Sequence, residues 1–383
     1  MANKTILFII PNHNHGGTNK SLQNILLEID KGKYSVLIYS IYEGGVYSSI
    51  FRDCSVERGN IVKMFFSNKY ISALLKKFNI HFYYRFINYI FKREAFRVQA
   101  RFKPDIVISF QEGLASKFGR YFKSSNNIAW VQCDYAQYKK SLNDYEFNEE
   151  HIMYRDFKKI ICVSKCTMMS MKSHFPEISD RISFSYNILN IDSIIKLSQN
   201  DIEDKCFDTS VFTILSVGRF ESVKRFNRIP SIVHEIRLRN PNKPFKWYII
   251  APKGSQDSTR TLEEMNKYQV DGIVVLLGGK MNPYPYIKKT DLLVCLSESE
   301  SWSYVLNEAK LLHTPVVTTD FEAAFEVVDK EVGIITSIDN ISSILFDLIN
   351  NTQNSYSSLK ESACKFEYSN ELSIRQFNQV LET

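Results

Sequence analysis

Short, unbroken apolar runs recur along this chain, and most are followed by a stretch whose apolar residues fall at helical spacing. In the first half the runs are TILFII (5–10), SVLIYSIY (35–42), PDIVISF (104–110), IAWV (128–131), KIICVS (159–164) and RISFSYN (181–187), with 61–66 as a possible further strand. After the first run, Leu22, Ile25, Leu26 and Ile29 repeat at helical intervals; another helix is expected near 114–122. A strand buried on both faces reads as continuous hydrophobicity, and a strand feeding a helix is the unit of a parallel sheet. This rhythm predicts a doubly wound α/β fold. Residues 191–210 break it: they are polar, carry Asp201, Glu203, Asp204 and Asp208, and read as a linker or a surface helix plus loop. A second series follows, with strands at 212–217, 247–250, 273–277, 291–296, 315–319 and 333–336 and helices at 229–236 and 262–268. The expectation is two Rossmann-like domains facing a cleft: residues 1–190, a linker 191–210, and 211–367. A last helix over 368–383, with Leu372, Ile374, Phe377 and Leu381 as its packed stripe, would cross back to the first domain.

With 383 residues there is material for two cores, and 44% apolar with 23% charged residues is an ordinary soluble composition. No apolar run approaches bilayer-spanning length, and the run at 5–11 is too short for a secretory signal, so a cytoplasmic location is expected. The seven cysteines are scattered, odd in number and without a C-x-x-C pair, which predicts neither disulfides nor a zinc site. The net charge of +6 is uneven. From Ile61 to Lys103 there are ten Lys or Arg against Glu94 alone, giving +9 there and −3 over the remainder. Aromatic residues are interleaved with those cations, a pattern that suits the surface of an anionic membrane on the cytoplasmic side. Ordinary helices packing one face on a sheet give the same composition. No nucleic-acid-binding motif accompanies the charge.

Chemistry-bearing residues gather where strands end. The run 291–296 leads through S-E-S-E-S-W-S into a helix carrying Val305, Leu306, Ala309, Leu311 and Leu312, with Ser301 and Ser303 as candidate N-caps. This places Glu300 in the loop and Glu308 about a turn and a half into the helix, at the strand ends where open α/β sheets bind ligands. The helix-start amides of Ser303, Tyr304 and Val305 suit an anion such as a diphosphate, and ionised carboxylates suit hydroxyls. Taken alone, Glu300 would be a solvated loop acid and Glu308 a helix-surface residue. S-V-G-R-F-E-S-V-K (216–224) again follows a strand: Gly218 makes the turn, and Arg219 with Lys224 forms a natural diphosphate clamp. N-H-N-H-G-G-T (12–18) ends the first strand, where Gly16 and Gly17 would let the backbone approach a phosphate or sugar; His13 and His15 are taken as loop residues without a role.

The order V-G-R-x5-K, L-G-G-K-M-N-P-Y-P-Y-I-K-K-T-D (277–291), E-x7-E and A-K-x5-P-V-V-x-T-D resembles glycosyltransferase family 4, of the GT-B fold, closest to bacterial enzymes that build capsule, exopolysaccharide or lipopolysaccharide. The likeness is nearly continuous in the second half and looser in the first. It implies a retaining transferase moving a sugar from a UDP- or GDP-sugar to a lipid-linked or growing surface glycan, with no cofactor and no nucleic-acid partner. Arg219 and Lys224 would hold the diphosphate, Glu308 the ribose hydroxyls and Glu300 the donor sugar. Amides at Ser303, Tyr304, Val305, Gly16 and Gly17 would complete the cradle, and the loop with Lys280 and Met281 would lie against the base. The leaving diphosphate would itself take the acceptor proton. No Asp-x-Asp occurs, consistent with cationic side chains standing in for a metal ion.

Departures from the family pattern are Gln132 for the usual His of W-x-H-x-D, on what would be the acceptor side with Asp134; Ser301 for Gly; and A-P-K-G (251–254) for a glycine-richer turn. Two other readings fit the same residues: a GT-B nucleotide-sugar epimerase, and a non-catalytic partner that tolerates Gln132.

Overall fold

The computed structural model describes residues 3–12, 16–42, 51, 56–58, 80–124 and 126–382. They form two compact units, Met1–Ile188 with Asn370–Thr383, and Leu189–Ser369.

The first unit runs β1 Lys4–Ile10, α1 Gly17–Glu28, β2 Tyr34–Ser40, β3 Val56–Arg58, α2 Ile80–Phe102, β4 Ile106–Ser109 and α3 Leu114–Gly119. It continues with β5 Asn126–Val131, α4 Tyr135–Lys139, α5 Asp144–Tyr154, β6 Lys159–Cys162, α6 Lys165–His174 and β7 Ile182–Phe184. The strands lie parallel in the order β3-β2-β1-β4-β5-β6-β7. Leu7 sits between Leu37 and Val107 in register, which is why β1 must be apolar on both faces. Ile87, Phe91, Ala95 and Val98 of α2, spaced three and four apart, pack with Leu7, Ile9, Tyr39 and Phe118. A separate cluster joins β5 and β6 to Met153, Tyr154, Met171 and Phe175.

The second unit runs α7 Ile191–Leu197, β8 Phe212–Val217, α8 Ile229–Arg239, β9 Phe245–Ile250, α9 Gln256–Tyr268, β10 Val274–Leu276 and α10 Tyr284–Lys289. Then follow β11 Leu292–Cys295, α11 Tyr304–Leu311, β12 Val316–Thr319, α12 Ala324–Val327, β13 Gly333–Thr336, α13 Ile341–Asn350 and α14 Ser357–Lys365. Its parallel order is β10-β9-β8-β11-β12-β13. Ile229, Ile232, Val233 and Ile236 of α8 and Ile341, Leu345, Leu348 and Ile349 of α13 close one core around Trp247 and Leu292. Each such aliphatic side chain contributes about 1.5–3 kcal/mol by leaving water. Trp247 donates its indole N–H to Ser216 Oγ (3.0 Å), which itself donates to the Val294 carbonyl (2.7 Å), so the buried polar atoms are satisfied.

In both sheets the strand order reverses once, between β1 and β4 and between β8 and β11. Those are the switch points at whose carboxyl ends doubly wound sheets take ligands.

Several elements differ from the expectation. The strand after β2 is Val56–Arg58, paired with Ile38–Ser40; the expected strand at 61–66 lies outside the described residues, as do His13 and His15. Helices α4 and α5 fill a stretch the apolar pattern passes over, because α5 is polar on most sides and is started by a capping box between Asn143 and Glu146. Residues 191–210 are not an independent linker: α7 buries Ile194, and the segment belongs to the second unit. The closing helix α15, Glu371–Glu382, belongs to the first unit, where the Phe377 ring lies 6.1 Å from Trp130 and the Gln376 side-chain Oε1 accepts the Tyr186 N–H (3.1 Å). Its buried stripe is Ser373, Phe377, Val380 and Leu381; Leu372, expected inside, is exposed.

Candidate active site

Two loops meet at the switch point of the second unit. The first leaves β8 at Gly218, whose N–H donates to the Ile250 carbonyl (3.0 Å). A Cβ here would lie 3.1 Å from Phe226 Cζ, so glycine makes room for a ring that seals the loop's underside. A short 3-10 turn, Ser222–Lys224, follows and ends at Arg225 in the left-handed region, φ 52°. The second loop leaves β11 and is fastened to the first: the Glu298 N–H donates to the Val223 carbonyl (2.8 Å), and Arg225 pairs with the Glu298 carboxylate at 3.3 Å.

This fastening brings Lys224 and Glu300 together. The Lys224 ammonium donates to Glu300 Oε1, with 19% and 14% of the two side chains exposed. Burial alone would lower the Lys224 pKa, but the adjacent Glu300 carboxylate overrides it and the ammonium titrates above its ordinary range. Ser297 Oγ donates to the same oxygen of Glu300 (2.7 Å), and Thr319 at the end of β12 holds the Ser297 carbonyl. Both bonds fall on Oε1. Among the described residues Oε2 takes none of them, and it is the oxygen a ligand hydroxyl would meet.

Arg219 is placed differently. Its guanidinium is 66% exposed and pairs with Glu221 at 3.0 Å. The two cations expected as one clamp thus have separate carboxylate partners.

Glu308 is not a helix-surface residue. It is 3% exposed on α11, with the Tyr284 hydroxyl 3.5 Å from Oε1. Ser303 occupies the N-cap of α11, and Ser301 does not; the Ser303 side chain makes no capping bond and no acid stands in the first turn. Its carbonyl accepts from Asn307 Nδ2 (2.9 Å). The N-cap residue therefore does not itself cap the helix start, which lies at the strand ends where an anion is received.

The loop expected against a base is tied down from elsewhere. Lys280 pairs with Asp204 (2.8 Å), Tyr286 donates its hydroxyl to the same carboxylate, and Asn282 donates to the Leu197 carbonyl (2.9 Å). Burial would raise the Asp204 pKa; hydrogen bonds from Lys280 and Tyr286 hold it below the usual range instead. Met281 is 77% exposed. By sequence Asp204 is one acid of a polar linker; its contact with a residue 76 positions away gives it its place.

At the strand ends of the first unit, Gly16 precedes α1 with open space where a Cβ would stand, and Gly17 begins the helix, which has no side-chain cap. Asp134 is the N-cap of α4, accepting from the Ala136 N–H (3.0 Å). Gln132 donates its backbone N–H to Glu112 Oε2 (2.9 Å). Sequence reading missed Glu112, although an acid in the loop between a strand and a helix is the signal that marks Glu300. Beneath them the buried Glu150 accepts from the Tyr135 and Tyr138 hydroxyls, each at 2.8 Å. Burial raises its carboxyl pKa, and the two tyrosines offset part of that rise.

Two doubly wound parallel units, each with its polar residues gathered at the switch point, make this a GT-B molecule. Residues 211–351 match the family model described as Glycosyl transferases group 1. An uncharacterized glycosyltransferase of Methanocaldococcus jannaschii is 26% identical over 259 residues, 63% of this chain and 62% of that one. A Campylobacter jejuni protein named as an N-acetylgalactosamine-N,N'-diacetylbacillosaminyl-diphospho-undecaprenol 4-alpha-N-acetylgalactosaminyltransferase is 27% identical over 196 residues, half of each chain. The matched stretch thus spans less than two thirds of either relative's length. The crystal structure of Anabaena HepE with UDP and glucose superposes over 99% of this chain and 98% of that one, with a TM-score of 0.71 at 15% identity.

Proposed function

We propose that the chain is a retaining glycosyltransferase that moves a sugar from a UDP- or GDP-sugar to a lipid-linked or growing bacterial surface glycan. The observation that carries this is the Lys224–Glu300 pair, fastened beside the start of α11 and on the same short stretch as the buried Glu308. A cation, a helix N-terminus and two carboxylates answer the parts of a nucleotide-sugar: diphosphate, sugar hydroxyls and ribose hydroxyls. The matched family model and the diphospho-undecaprenol-linked substrate in the name of the C. jejuni relative support the reading.

In this mechanism Lys224 holds the diphosphate through charge, and Arg219 swings from Glu221 to join it; an exposed side chain can do so at little cost. Both offset the negative charge that builds on the leaving diphosphate. Glu300 keeps Lys224 on Oε1 and offers Oε2 to a donor hydroxyl, while Glu308 orients the ribose. The departing phosphate oxygen takes the acceptor's proton as the new glycosidic bond forms on the face the diphosphate leaves. The test is incubation with UDP- and GDP-sugars and lipid-linked glycan acceptors, followed by NMR of the product's anomeric centre. Transfer with the donor's anomeric configuration is expected; inverted product, or donor converted to an epimer without transfer, would refute it.

A further inference from the structure

Lys310 is the one buried lysine among the described residues, 7% exposed, and no step of the sugar transfer uses it. It stands in the last turn of α11, two residues after Glu308 and so about 200° further round the helix. A lysine in that position ordinarily serves the helix dipole from solvent; this one turns inward. Its ammonium donates to the Val327 carbonyl, at the end of α12, and to Asp329 Oδ2 (2.8 Å). The Phe366 and Tyr368 rings lie against it, their centroids 5.0 and 5.8 Å away. Tyr368 also stands in the field of Glu308: burial raises its pKa most, and the Glu308 and Asp329 carboxylates raise it further, so its hydroxyl stays protonated. All of these residues belong to the second unit.

We infer that Lys310 is a positioning residue for Glu308, fixing the rotation of α11 that presents that carboxylate to the donor's ribose hydroxyls. The inference rests on the proposed donor role of Glu308. A buried ion pair adds little to stability, because desolvation offsets most of the attraction and an apolar side chain would fill the space as well. What it supplies is a fixed geometry. Helix α11 has only eight residues, and a helix that short is held by what it packs on and is tied to. Beyond its end, the His313 ring meets the Ala363 carbonyl (3.1 Å) and Thr314 donates to the Ile287 carbonyl (2.7 Å), so the helix stays attached without Lys310. Those ties hold the chain after the helix; Lys310 holds the last turn itself. A carboxylate that must meet a hydroxyl within hydrogen-bond distance does not tolerate a helix free to roll.

Titration calorimetry of the full chain with UDP and GDP, each beside its dideoxyribose analogue lacking both ribose hydroxyls, tests it. The parent is expected to prefer the ribose form of its nucleotide by about tenfold or more, and Glu308→Ala to abolish that preference. Lys310→Met, which keeps the volume and removes the charge, should cut the preference at least about threefold and leave affinity for the dideoxyribose form at the parent's. Asp329→Asn should cut it partway; its carboxylate is 47% exposed, so this variant folds even where Lys310→Met does not. A lysine that only stabilised the fold would, when replaced, weaken both forms alike. If Glu308→Ala removes the preference while the Lys310 and Asp329 variants keep it whole, or weaken both forms equally, the inference falls and the donor reading stands. If the parent binds neither nucleotide, or Glu308→Ala leaves the preference intact, the ribose role itself falls and the inference with it.

Discussion

Lys224 and Glu300 each serve the other and a ligand. Without substrate, Glu300 is the counter-charge that lets a largely buried ammonium stay ionised, and Lys224→Ala leaves that carboxylate, among the described residues, with the Ser297 hydroxyl. We expect Lys224→Ala to lower kcat/KM about a hundredfold or more, since it removes charge that acts on the leaving group. Glu308→Ala should weaken donor binding by about ten- to a hundredfold with a smaller change in kcat, as for a lost charged hydrogen bond. Measured kinetics in which Glu308→Ala spared donor binding would remove its ribose role. Glu150 gives a prediction in pH. Its carboxyl is raised in the folded state by burial, so the folded protein holds the proton more tightly than the unfolded chain. The contribution is therefore present in full below the ordinary glutamate pKa and is lost as pH rises through the raised value. Glu150→Gln should flatten stability over that window, read as Tm against pH; an unchanged slope would assign it to other groups.

At the level of elements, tight packing of strand against strand makes a second kind of prediction. A Cβ on Gly333 would come within 2.4 Å of Val316 Cγ2 and 2.8 Å of the Val316 carbonyl, so β13 can lie beside β12 only with glycine there. Gly333→Ala should cost about 1–3 kcal/mol and lower Tm by several degrees, with donor affinity kept once folded. The strands themselves were legible because burial on both faces leaves unbroken apolar runs; FTILSV and GIIT begin and end where β8 and β13 do. So were the loops after β8 and β11, since Gly218 and the two glutamates stand at fixed offsets from strand ends. Helices α4 and α5 escaped because their starts depend on caps, Asp134 and Asn143, more than on apolar period. What no local pattern carries is pairing across the sequence: Asp204 with Lys280 and Tyr286, Glu112 with Gln132, Arg219 with Glu221 in place of its expected share in the clamp.

Across the whole molecule, the chain closes each unit separately, and the first is completed only by the last helix. Removing 370–383 would uncover Trp130 and Phe377's other neighbours and strip Tyr186 of its acceptor, so it should destabilise the first unit by several kcal/mol. Calorimetry should then show the first unit's transition lowered and the second's in place; a uniform shift would mean that the helix supports both. The central claim is that the second unit holds a nucleotide-sugar by its diphosphate and hydroxyls. Titration calorimetry of the full chain with UDP, GDP and their sugar conjugates tests it most directly. The account predicts saturable binding of one nucleotide series, tighter for the sugar conjugate than for the nucleotide when Glu300 is present, and weakened about a hundredfold by Lys224→Ala. Binding of no nucleotide by the folded protein, or full affinity retained by Lys224→Ala and Glu308→Ala alike, would contradict it.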